Sequence, residues 1–185
     1  PGFDPLRVPA IVEKRRGWIE SHLGRLADRA VVRGAAGDLP DRVDLPALGE
    51  SWRVEYVPAA TRLVGAVVDP PERISICGAV QDREACREAL KRWLCLRARE
   101  ELVPRLAALA RQGRFKFNEV LIRGQKTRWG SCSSRGRISL SFKLLFLERD
   151  WVRCVLLHEL CHTVELNPSA EFWSLLRIHE PDCRA

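Results

Sequence analysis

The stretch Trp151-Val-Arg-Cys-Val-Leu-Leu-His158-Glu159-Leu160-Cys161-His162 decides how the rest of this chain is read. Val152, Val155, Leu156 and Leu160 recur at helical spacing and supply a buried side, and Asp150 stands where a cap belongs. On a helix, residues four apart share a face, so both imidazoles point the same way and Glu159 flanks them. Two His at this spacing can share one tetrahedral Zn²⁺, and a carboxylate beside the metal can take a proton from water. His158 and His162 are therefore the candidate metal ligands and Glu159 the candidate general base. Asn167-Pro168 marks a fresh helix start soon afterwards, with Asn167 as cap and Pro168 in the first turn.

Upstream of this stretch, Phe115 to Ile122 and Arg137 to Phe142 alternate apolar with polar residues and read as strands. Between them runs Arg123-Gly-Gln-Lys-Thr-Arg-Trp-Gly-Ser-Cys-Ser-Ser134, a turn-rich connection with several cations. It lacks the Gly-Lys-Ser/Thr ending of a phosphate-binding P-loop. Further back, Asp82 is placed to cap a long helical stretch from Arg83 to about Gln112, with Gly113 as its stop. Pro104 falls inside that stretch, and loss of its N–H predicts two helices meeting near Val103.

Between Gly34 and Gly78 the period changes. Residues 42–45, 52–57, 63–68 and 73–76 are short β-rich runs separated by turn residues, which predicts a small antiparallel sheet. Ile11 to Ala27 places Ile11, Trp18, Ile19, Leu23 and Leu26 on one side of an amphipathic helix, and His22, with no metal-spaced partner, reads as a surface or packing residue. Residues 1–80 thus form a helix-and-sheet region and residues 81–185 the region holding the His pair, in one continuous domain.

With 185 residues, 46% hydrophobic and 30% charged, the chain can bury a core and is not compositionally disordered. No apolar run is long enough to span a bilayer. A formal charge of +7 allows acidic or nucleic-acid partners, although no nucleic-acid motif is visible. The seven cysteines are odd in number and include no Cys-x-x-Cys pair, so buried reduced thiols and a cytoplasmic location are the expectation.

Taken together, Arg123-Gly-Gln-Lys-Thr-Arg-Trp-Gly-Ser-Cys-Ser-Ser134, Ile138-Ser-Leu140, His158-Glu-Leu-Cys-His162 and Asn167-x-Ser-x-x-Phe-Trp173 resemble the YgjP-like metallopeptidases, relatives of the SprT group of zincins. The resemblance implies an α+β fold whose catalytic half is zincin-like, with the metal-binding helix packed on a twisted sheet. It also implies Zn²⁺ at His158 and His162, Glu159 as catalytic base, and a peptide or protein substrate. In that family a third metal His stands six residues after the second, where this chain has Pro168.

Substitutes for that ligand can be ranked by geometry. Glu171 lies one turn beyond Pro168 on the same face. Glu165 shares the stripe of the two His but lies about 10 Å along the axis from His158 if the helix continues. Cys161, Cys132 and His179 are further candidates, and Arg123 or Arg128 could place a cation near developing charge. The leading expectation is a zinc metallopeptidase. The alternatives are a metal-dependent hydrolase of other bonds, or a catalytically decayed relative serving as a binding module for ligands such as nucleic acid.

Overall fold

The computed structural model describes residues 39–125 and 127–181, so the helix expected over residues 11–27, with His22, lies outside the described residues. The first four strands are β1 (Arg42–Leu45), β2 (Glu50–Pro58), β3 (Gly65–Asp69) and β4 (Arg73–Gly78). They form one sheet in the order β1-β2-β4-β3. β1 with β2 and β3 with β4 are antiparallel, but β2 and β4 run parallel. The sheet is therefore mixed, not antiparallel as expected. Burial explains the swap. Ile74 and Ile76 of β4 are wholly buried and take the interior place, whereas β3 is largely exposed and goes to the edge, starting at Gly65 because Leu63 faces solvent.

Helix α1 (Arg83–Gly113) packs against this sheet. The Asp82 carboxylate accepts from the Ala85 N–H at 3.0 Å, as its position predicts. Trp93 meets Trp52 of β2 edge-on, with ring centroids 5.3 Å apart. Pro104 does not divide the helix. It lies on the exposed side, where water can satisfy the freed carbonyl, while Leu102 and Leu106, wholly buried on either side of it, hold the helical path. The helix ends beyond Gly113 with Arg114 at φ 57, whose N–H reaches back to the carbonyls of Ala110 and Arg111.

Three further strands, β5 (Glu119–Arg123), β6 (Gly130–Cys132) and β7 (Arg137–Ser141), form a second sheet in the order β5-β7-β6. β7 runs parallel to β5 and antiparallel to β6, which leaves β6 at an edge. Phe115 is buried below the end of α1 rather than starting a strand, so β5 begins four residues later than the alternation suggests. β7 passes into a 3₁₀ turn over Phe142–Phe146 that drives Phe142, Leu144, Leu145 and Phe146 into the core.

Helix α2 (Arg149–Cys161) carries the two His, and α3 (Ala170–His179) follows a short loop. Both helices start differently from expectation. The cap of α2 is Glu148 without a side-chain bond, and Asp150 already lies in its first turn. Instead, an Arg149 guanidinium N–H donates to the Leu48 carbonyl at 2.9 Å and ties the helix start to the first sheet. Ser169, not Asn167, caps α3, its hydroxyl accepting from the Phe172 N–H at 3.3 Å, so Pro168 precedes the helix. One hydrophobic cluster joins both sheets and all three helices of the described residues. No described helix is long and apolar enough to cross a membrane.

Candidate metal centre

Leu156, Leu157, Leu160 and Cys161 bury one side of α2, which turns the edge carrying His158 and His162 toward α3. The two imidazoles meet with Nε2 atoms 3.1 Å apart and ring planes at 82°. His162 Nδ1–H donates to the backbone carbonyl of Glu165 at 3.0 Å, which keeps its Nε2 lone pair on the side of His158. The spacing suits a shared ion. Two imidazole nitrogens at about 2.0–2.1 Å from a tetrahedral zinc stand about 3.3 Å apart.

An aromatic wall from α3 backs the pair. Phe172 is wholly buried, stacks on the His162 ring at 4.4 Å and meets His158 edge-on at 4.9 Å, and Trp173 lies 6.1 Å from His158. The Phe-Trp dipeptide was visible in the sequence as part of a motif. Its physical role, to back both imidazole rings, required the fold.

Glu159 is only 5% exposed because α2 lies against edge strand β6. A Cβ built on Gly130 would fall 2.6 Å from Glu159 Oε1 and 2.8 Å from its carboxyl carbon. Only glycine lets the strand come this close. Two residues on, burial and then the charge of Glu159 push the Cys132 thiol up to about 11, another sign that the carboxylate lies along β6. The Arg-Trp-Gly-Ser-Cys stretch and the His pair, thirty residues apart in sequence, thus build one place.

The candidates for a third ligand are not gathered there. Among the described residues, no third His, Cys, Asp or Glu joins the pair to form a metal-holding cluster. Glu165 contributes its backbone carbonyl to His162. Glu171 is exposed at the start of α3, where hydrogen bonds from its own backbone N–H and then from the Ser169 hydroxyl hold its carboxyl below the ordinary value. His179 packs on Phe115 with centroids 4.8 Å apart. Cys161 is buried, and that burial pushes its thiol up to about 12. Arg123, at the end of β5, and Arg128 are both exposed. One cysteine departs from expectation: Cys154 is disulfide-bonded rather than a reduced thiol.

An α+β fold with two converging imidazoles beside a buried carboxylate brings together side chains of the kinds that metal-assisted hydrolysis uses. A family model described as YgjP-like, metallopeptidase domain, matches residues 1–185, and the chain belongs to that family. Comparison with curated proteins and with solved structures gave no match.

Proposed function

We propose that this chain is a zinc-dependent metallopeptidase of zincin-like architecture, with His158 and His162 holding the ion and Glu159 acting as general base. The observation that carries the reading is the pair of Nε2 atoms 3.1 Å apart, next to a carboxylate seated against a glycine of the edge strand. Zinc, when bound, supplies a Lewis acid that lowers the pKa of water and polarises an oxygen. Glu159 removes a proton from the attacking water and then delivers it to the leaving amine. Its near-complete burial keeps competing solvent away, and the contact with Gly130 restricts its rotamers. Glu165, through its carbonyl, holds His162 in the tautomer a ligand needs.

A second reading follows from the missing third donor among the described residues. A two-His centre binds zinc more weakly than a three-ligand centre, and a chain with such a centre could serve as a binding module, with nucleic acid one ligand its positive charge would accept.

Zinc stoichiometry and affinity, measured beside hydrolysis of an unstructured peptide mixture, separate the two. The peptidase reading expects tightly held zinc in the native chain, and in Glu159→Gln the same zinc content with hydrolysis reduced by about 10²–10⁴-fold. A native chain that holds little zinc and hydrolyses nothing, while Pro168→His binds the ion tightly, would overturn it in favour of the decayed centre.

A further inference from the structure

The four-stranded sheet carries a feature that hydrolysis at α2 does not use. Arg42 of β1 stands directly opposite Arg53 of β2, and Arg53 directly beside Arg73 of β4. Residues in register share a face, so three arginines form one row across three neighbouring strands. All three are exposed, whereas Val43, Trp52, Val54 and Ile74, next to them in sequence, fill the core on the opposite face.

Like charges directly opposite one another destabilise a sheet. Neighbouring carboxylates relieve this row unevenly. Arg42 pairs with Asp44 at 2.9 Å, Arg73 comes only within 3.9 Å of Glu55, and Arg53, in the middle, has no acidic partner among the described residues. A concave space of about 530 Å³ lies over the row, lined also by Asp41, Ser51 and Glu72. That volume falls within the range of about 300–1,000 Å³ typical of small-molecule sites.

We infer that Arg42, Arg53 and Arg73 form a binding site for a small phosphorylated ligand. Guanidinium forks match the oxygens of a phosphoryl group, and a bound dianion would turn the repulsion within the row into shared attraction. Three arginines against the carboxylates of Asp41 and Glu72 leave one net positive charge in the lining. The carboxylates disfavour the continuous phosphate backbone of a nucleic acid and can accept hydroxyl groups of a compact phosphate ester. The site lies on the first sheet, whereas the strand that meets Glu159 belongs to the second, and it does not depend on zinc.

Calorimetric titration of the metal-free full chain with inorganic pyrophosphate tests the inference. The expected result is saturable binding, weakened at least tenfold in Arg53→Thr and partly restored in Arg53→Lys, while peptide hydrolysis by the zinc-loaded Arg53→Thr chain stays at the native rate. Arg73→Thr should weaken binding independently. Relief of repulsion predicts that Arg53→Thr melts no lower than the native chain, which guards against a folding defect. Absence of saturable binding, equal affinity in Arg53→Thr, or equal competition by sulfate at matched ionic strength would overturn the site. Salt-sensitive binding of single-stranded oligothymidylate through the same arginines, without pyrophosphate binding, would overturn it in favour of nucleic acid.

Discussion

At the scale of single residues, the contact between Gly130 and Glu159 makes the sharpest demand. A methyl group at position 130 has no room beside the carboxylate, so Gly130→Ala must move either the strand or the Glu159 side chain. Overpacking of this kind costs about 1–3 kcal/mol, and a misplacement of about 1 Å at a reacting group costs on the order of 10²-fold in rate. On the proposed peptidase reading, Gly130→Ala is therefore expected to retain zinc through His158 and His162 and to lose about two orders of magnitude in peptide hydrolysis. Cys132 offers a readout that needs no substrate. Burial and the Glu159 charge hold its thiol at about 11, so alkylation at pH near 7.5 should be slow in the folded chain and complete in denaturant. Glu159→Gln removes the second of those causes and should speed labelling of Cys132, as peptide mapping would show.

At the scale of elements, α1 and β2 are joined by charge as well as by packing. The Glu50 carboxylate accepts from the indole N–H of Trp52 at 2.8 Å and from the Arg97 guanidinium, which also pairs with Glu101. Burial works to raise the Glu50 carboxyl, but the bonds from Arg97 and Trp52 and the charges of Arg97 and Arg105 outweigh it, leaving the group below its ordinary 4.5. A carboxyl depressed by folding contributes stability above its unfolded pKa and loses it as pH falls through the lower folded value. Glu50→Gln should thus destabilise the chain by about 1.5–3 kcal/mol at neutral pH. In urea melts that deficit should shrink as pH drops below about 4. Within α1, Pro104 is exposed and its missing N–H has no structural use. Pro104→Ala should restore the bond to the Glu100 carbonyl and raise Tm by several degrees, given a penalty of about 3 kcal/mol for proline in a helix interior.

At the scale of the molecule, the zinc binding proposed above would be linked to folding, because His158 and His162 converge only when α2 is formed and α3 sets Phe172 against them. Zinc at a hundred times its dissociation constant should add about 2.7 kcal/mol of stability. Thermal melts of the native chain should therefore shift upward with added zinc, and those of a His158→Ala/His162→Ala chain should not. Positive charge is also distributed with consequence at this scale. Three arginines from segments up to thirty-one positions apart are brought into one row by strand order alone.

The α2 helix, the shared face of its two His, the Asp82 cap and most strand positions were legible in the sequence, because each follows from a local period or from a residue's hydrogen-bonding chemistry within one turn. The starts of α2 and α3 were misread by a residue or two, since Asp150 and Asn167 are competent caps and only the tertiary placement of Arg149 and Ser169 decided between neighbours. The parallel pairing of β2 with β4, the unbroken path of α1 through Pro104, the seat of Glu159 on Gly130 and the arginine row were decided by the tertiary structure. Each depends on which distant segments are pressed together and in what register. Burial of Ile74 and Ile76, Leu102 and Leu106, and α2 against β6 sets that choice, and no local spacing carries it.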